Sequence, residues 1–332
     1  MRSVMTTPTL LVTLDAGTSG RSVIEATIGA AARVIYLSDV PADERAKTFS
    51  DATVLLARDT SKELQAGELA LLSQAQLIQF VTAGVDYIPL GDVPKSLPVA
   101  CNGGAYAEPM AEHALAMTLA ALKRLLVEHT KLAAGTFDQF RSNRMLAGSV
   151  CGILGFGGIG IATARVMRAL GAKVHAINRR GATAEPVDWI GNTTEIDRLL
   201  SEADVLVLSL PLTPATNGML GRRELALMKK DAVLVNLARG EIIDEAALFR
   251  HLKDMPEFTA CIDAWWVEPV RHGQFRMDHD FMSLPNVIAS PHNSASVARW
   301  RNVALRRAVE NARAAFEGGQ VQHLVPPEDR MK

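Results

Sequence analysis

The apolar run Val150–Leu154 leads directly into Gly155-Phe156-Gly157-Gly158-Ile159-Gly160. Ile159, Ala162, Val166 and Leu170 then recur at helical spacing, and a second apolar run, Lys173–Ile177, follows Gly171. A strand, a glycine loop, an amphipathic helix and another strand in this order predict an α/β layer with a parallel sheet. GxGxxG alone is a weak signal, but between a strand and a helix it is the dinucleotide fingerprint. The first glycine permits the tight turn. The second lets backbone approach a pyrophosphate, and the third lets helix and strand pack closely. The helix N-terminus adds unpaired N–H groups and a partial positive charge for phosphates. The six residues from Gly155 to Gly160 are therefore cofactor-binding candidates.

The second strand ends in Ile177-Asn178-Arg179-Arg180. An NAD site usually places a carboxylate about 20 residues beyond the first glycine, where it accepts from the ribose 2′-OH. Asn178 stands there instead, followed by two arginines. A carboxylate would repel a 2′-phosphate, whereas guanidinium groups pair with one. The expectation is NADP(H) in preference to NAD(H), which stays open as a second cofactor. The bland alternative makes Arg179 and Arg180 solvated loop charges.

With 332 residues the chain exceeds what one hydrophobic core usually serves, so two domains are expected. Strands are predicted at Leu10–Leu14, Val34–Leu37, Thr53–Ala57 and Leu77–Val81. A second series comprises Val150–Leu154, Lys173–Ile177, Asp204–Leu210, Ala232–Leu237, Thr259–Asp263 and Asn286–Ala289. Six strands so spaced predict a doubly wound sheet. Between the series, Ala111–Val127 reads as one long helix, apolar on most faces, with Pro109 near its start. Such a helix is either internal core or a subunit contact. A last helix spans Ser296–Glu317, its arginines mostly on a solvated face.

Charge balances at 35 basic against 36 acidic residues, which argues against a nucleic-acid footprint. No run of about 18 apolar residues is present to span a membrane. Met1–Thr9 lacks an apolar core long enough for a signal peptide. Cys101, Cys151 and Cys261 are too few for a disulfide framework, and a reducing cytoplasm fits them. The eight histidines lack metal-ligand spacing, so no metal is expected.

Three further signals fall at the C-terminal ends of predicted strands: Asn236-Leu-Ala-Arg239-Gly240, Asp263-Ala-Trp-Trp-Val-Glu268-Pro269 and Ser290-Pro-His292-Asn. Each alone has an ordinary reading: an ion-pair arginine, a loop carboxylate, a turn histidine. Together, in this order after a glycine loop, they are far more specific. With Leu208–Leu220, Val235–Leu248 and Leu284–His292, the chain resembles the D-isomer-specific 2-hydroxyacid dehydrogenases over nearly its whole length. The resemblance implies hydride transfer between a nicotinamide and C2 of a 2-keto or 2-hydroxy acid. It assigns Arg239 to the substrate carboxylate and carbonyl, His292 to acid/base work and Glu268 to its partner. It also places Leu210, Pro211, Thr216, Leu237, Ala238 and Ser294 along the cofactor, and Asp263 at the nicotinamide carboxamide. For Asp263 a cap or an arginine partner is the alternative. The chemistry suits these types, since histidine exchanges protons near neutrality and a carboxylate beside it favours the imidazolium. A planar guanidinium grips a carboxylate and stabilises a developing oxyanion.

The family's substrate loop corresponds to Phe80–Asp86, where the backbone N–H groups of Ala83 and Gly84 suit a carboxylate. Asp86 reads as a local cap. Arg58 is either a second positive group there or a surface charge. Phosphite dehydrogenases carry lysine where Ala83 stands, and formate dehydrogenases carry glutamine where Glu268 stands. Phosphoglycerate dehydrogenases often add a C-terminal extension. What remains is a reductase of small 2-keto acids, with glyoxylate or hydroxypyruvate foremost. Trp265 and Trp266 replace the commoner phenylalanine version and either line the cleft or pack in a core. Glu112 and His113 are adjacent on a helix and face different ways, so they are not read as an acid/base pair.

The implied architecture is α/β, with two doubly wound parallel-sheet domains and a cleft between. Residues 1–99 and 296–332 form a discontinuous, flavodoxin-like substrate domain, and 100–295 a Rossmann domain. A homodimer through region 105–134 is implied as well. The competing reading from another class is a dehydrogenase-like regulator or corepressor that senses nucleotide without turnover.

Overall fold

The computed structural model describes residues 7–91 and 93–330. The expectation for Met1–Thr9 falls mostly on Met1–Thr6, outside the described residues. The chain forms two compact units, one of residues 1–105 and 297–332, the other of residues 106–296.

The first unit holds strands β1 (Thr9–Val12), β2 (Arg33–Tyr36), β3 (Val54–Ala57), β4 (Leu77–Phe80) and β5 (Val99–Ala100). All pairs are parallel, in the order β2-β1-β3-β4-β5, which is the flavodoxin-like order. Helices α1 (Gly17–Ile28), α2 (Arg45–Asp51) and α3 (Thr60–Glu63) come from the first segment, and α11 (Trp300–Phe316) from the last. Successive strand residues serve opposite cores. Leu10 and Val12 join α1 and α11 on one face, while Leu11 and Leu55 join Phe49 of α2 on the other. That two-sided burial is why these strands read as continuous apolar runs.

The second unit has β6 (Val150–Leu154), β7 (Lys173–Ile177), β8 (Trp189–Gly191), β9 (Val205–Leu208), β10 (Val233–Asn236), β11 (Thr259–Ile262) and β12 (Val287–Ala289). They form one parallel sheet, ordered β12-β11-β10-β9-β6-β7-β8. The order reverses between β6 and β9, and open α/β sheets bind ligands at such a switch point. Its helices are α4 (Ala107–Leu122), α5 (Leu125–Ala133), α6 (Gly158–Ala169), α7 (Ile196–Glu202), α8 (Arg222–Leu227), α9 (Glu245–Asp254) and α10 (Pro269–His272). Two cores flank the sheet, one including Leu206, Leu234 and Ile262, the other Val207, Val235 and Cys261.

The structure corrects several expectations. The single helix over Ala111–Val127 is broken in two. Arg124 takes a left-handed φ of +54°, and the N–H of Arg144 takes the carbonyl of Leu122 at 3.0 Å, closing α4. The second sheet has a seventh strand, β8, and the first a fifth, β5. The last helix starts at Trp300 rather than Ser296, after Arg299 at φ +65°. The first unit reaches Ala105 because β5 pairs with β4, and the Asn102 side chain donates to the carbonyls of Val81 (3.1 Å) and Ala304 (2.8 Å). Among the described residues, no helix is long and apolar enough to cross a membrane, and no three His, Cys, Asp or Glu side chains cluster to hold a metal.

Candidate active site

The glycine loop closes β6 at the switch point. Gly155 lies at φ +100°, and a Cβ there would stand 2.6 Å from the backbone nitrogen of Leu210. At Gly160 a Cβ would stand 2.4 Å from the carbonyl oxygen of Gly155. Gly157 differs, because a Cβ there would meet nothing within 4 Å. That open position fronts the first turn of α6, which no side chain caps. Open space, an uncapped helix N-terminus and the buried Ser294 hydroxyl, which has no partner among the described residues, fit a bound dinucleotide phosphate and nicotinamide.

After β7, the Asn178 carboxamide turns back on its own loop. Its oxygen accepts from Arg180 N–H at 3.0 Å and its nitrogen donates to Ala182 O at 2.9 Å. The side chain that stands where a carboxylate would select NAD thus shapes a turn, leaving Arg179 and Arg180 on an exposed loop. Thr216 donates to Pro211 O at 2.7 Å and accepts from Thr213 N–H at 2.8 Å, so it shapes the loop after β9 that contains Leu210 and Pro211. Phe156 is buried, and Leu237 and Ala238 are buried in opposite cores.

Arg239, Glu268 and His292 follow the neighbouring strands β10, β11 and β12. His292 Nδ1 lies 2.8 and 2.7 Å from the two oxygens of Glu268. Glu268 is 6% exposed, and the N–H of Trp265 donates to its Oε1 at 2.7 Å. Burial pushes its carboxyl up, but this is outweighed by the hydrogen bond and charge of His292, the Trp265 N–H and the charge of Arg239. The carboxyl is held below its ordinary value and stays ionised. His292 sits at φ +49°, a conformation non-glycine residues seldom adopt. Arg239 is half-buried, with Nη1 donating to Ala238 O at 2.7 Å. The next residue must be glycine, because a Cβ on Gly240 would stand 2.4 Å from the Trp265 carbonyl carbon. Arg239 and the Glu268 segment are thereby held close.

Asp263 is fully buried. Its carboxylate accepts from Ser290 Oγ (2.5 Å), Asn293 N–H (3.1 Å) and Ser294 N–H (3.3 Å). Trp265 and Trp266 pack in an aromatic core with Phe281, and their indole N–H groups donate to Ser290 O and Ile243 O. His113 and Ser290, absent from the sequence-based site, join this network. Their only sequence signal is polarity at the head of an apolar helix and before the Pro-His pair.

In the first unit, Ala83 and Gly84 follow β4, and among the described residues neither backbone N–H has a hydrogen-bond partner. Arg58 follows β3 with an exposed side chain, and its backbone N–H is taken by Glu63 at 3.1 Å.

Residues 115–294 match the family described as D-isomer specific 2-hydroxyacid dehydrogenase, NAD binding domain. A glycerate dehydrogenase of Methylorubrum extorquens is 36% identical over 180 residues, 54% of either chain, so the match spans about half that relative's length. A hydroxypyruvate reductase of Thermotoga maritima is 30% identical over 259 residues, 77% of this chain and 82% of that one. The fold matches a D-isomer specific 2-hydroxyacid dehydrogenase of Xanthobacter autotrophicus in complex with NADPH and MES. That match has a TM-score of 0.77 and 24% identity, and it covers 97% of this chain and 99% of that one. With the matched nucleotide domain and the likeness to the Thermotoga enzyme, this chain belongs to the D-isomer specific 2-hydroxyacid dehydrogenase family.

Proposed function

We propose that this protein is an NADP(H)-dependent reductase of small 2-keto acids, glyoxylate or hydroxypyruvate foremost. The observation that carries the reading is the buried, ionised Glu268 bound to His292 Nδ1 on the unit that holds the glycine loop. A bound nicotinamide supplies a hydride to C2 of the keto acid. Gly155–Gly160 and Ser294 would hold that cofactor, with Arg179 and Arg180 at the 2′-phosphate. Arg239 grips the substrate carboxylate and polarises the carbonyl, and His292 gives the forming alkoxide its proton from Nε2. Glu268 accepts from Nδ1–H, fixing the ring and stabilising the imidazolium before transfer. The Ala83 and Gly84 amides and Arg58 of the first unit, the proposed substrate domain, are assigned to the carboxylate end.

The test is nicotinamide absorbance with NADPH and a panel of 2-keto acids. Oxidation with glyoxylate or hydroxypyruvate is the expected result, and none with any keto acid favours the nucleotide-sensing regulator. A cytoplasmic homodimer completes the proposal. Leu125, Leu126, Leu132, Phe137 and Phe140 form an exposed apolar stretch on α5 and the segment after it, as a subunit contact requires. Light scattering should give a dimer, and a monomer would remove this part.

A further inference from the structure

The segment carrying His292 hangs on one serine and one buried carboxylate. Ser290 donates its N–H to Ile262 O (3.0 Å), and its carbonyl accepts the Trp265 indole N–H (2.9 Å). Its hydroxyl lies 2.5 Å from Asp263 Oδ1 and 3.0 Å from His113 Nε2. The hydrogens can be assigned. A carboxylate only accepts, so the Ser290 hydroxyl donates to Asp263. Its oxygen therefore accepts from His113, which must carry its proton on Nε2. Asp263 also receives the N–H groups of Asn293 and Ser294. Contacts on both sides of His292 thus converge on one carboxylate, whose orientation is set by a hydroxyl that His113 orients.

Helix and strand geometry explains how residues 177 apart in sequence meet here. His113 and Met117 lie one turn apart on the same face of α4. Cys261 and Asp263 alternate onto one face of β11 and its continuation. Cys261 Sγ lies 3.6 Å from Met117 O, and His113 Nε2 lies 3.8 Å from Asp263 Oδ1. Two matched contacts therefore seat α4 along the strand. Left-handed backbone at a functional residue persists only where its surroundings over-determine it, and this network supplies the constraint at His292.

We propose that His113 and Ser290 are positioning residues. They hold residues 290–294 and so the place from which His292 delivers its proton, without touching substrate or cofactor. This rests on the reading of His292 as the proton donor. The experiment compares Ser290→Ala and His113→Leu with the conservative Ser290→Thr and His113→Gln. Hydrogen exchange over residues 290–296 of the cofactor-free protein and steady-state kinetics are both measured. The two disruptive variants should raise exchange at Asn293 and Ser294 by about tenfold, with the central strands unchanged. They should lower kcat by about 10- to 100-fold, with KM for the keto acid within about threefold because Arg239 is untouched. Ser290→Thr and His113→Gln should retain both properties within about threefold. Wild-type exchange and kcat in the disruptive variants would overturn the proposal. So would equal losses in all four variants with a lowered melting temperature, since that marks packing alone. If the wild type reduces no keto acid, the functional reading falls, and exchange at Asn293 and Ser294 still decides the positioning.

Discussion

A histidine can hand over a proton only from where its backbone puts it, and His292 is held at φ +49° against a buried, ionised Glu268. Substituting it tests chemistry and backbone together. His292→Asn is the sharper probe, because asparagine tolerates left-handed backbone better than alanine. Either His292→Asn or Arg239→Ala should lower kcat/KM by about 10²–10⁴ with the circular dichroism spectrum unchanged. Near-normal turnover would sink the assigned roles. On the proposed NADP(H) reading, replacing Arg179 and Arg180 by alanine should weaken NADPH by about 10- to 100-fold, the loss of charge-assisted hydrogen bonds. NADH should change little, and equal losses would make the arginines mere loop charges. Arg239, Glu268 and His292 were legible because each follows an apolar run and has the side chain such chemistry needs. His113 and Ser290 were not, since their junction exists only once α4 lies on β11.

Strands buried on both faces announced themselves as apolar runs, with ends shifted by at most two residues. The edges did not. β5 is two residues long and β8 three, too short for a period to register. The break between α4 and α5 was equally hidden, because Lys123-Arg124 contains neither glycine nor proline. It is imposed by Arg144 arriving at the Leu122 carbonyl, a contact between distant segments. Gly240 shows how one backbone requirement aligns two loops. Gly240→Ala would drive a Cβ into the Trp265–Trp266 peptide and push Arg239 away from Glu268. Kinetics should show kcat/KM falling by about tenfold or more, and a stability loss of about 1–3 kcal/mol should accompany it.

The two units offer separate handles on stability. In the first, Arg45 grips Glu68 through bonds of 2.6 and 2.8 Å, and Gln65 N–H adds a third donor. Burial raises the Glu68 carboxyl, but Arg45 and the Gln65 N–H outweigh it and hold it below its ordinary value. A carboxyl depressed on folding stabilises above its unfolded pKa, and that contribution disappears as pH falls through the folded value. Glu68→Gln should therefore lower stability at neutral pH, through the lost charge-assisted bonds to Arg45. In urea titrations the gap from wild type should close below the ordinary carboxylate range, and a gap constant with pH would refute the linkage. In the second unit, NADP⁺ at about 100 times its Kd should add roughly 2.7 kcal/mol, read as a raised melting temperature.

The discontinuity of the first unit also bears on synthesis. Residues 106–296 are complete before α11 is translated, and Leu305, Ala308 and Val309 of α11 cover the same sheet face as Leu10 and Val12. The strands of the first segment thus leave the ribosome long before the helix that covers them. A premature stop before Trp300 would leave the nucleotide unit whole and the older half with a bare apolar flank, a substrate for chaperones and a seed for aggregation.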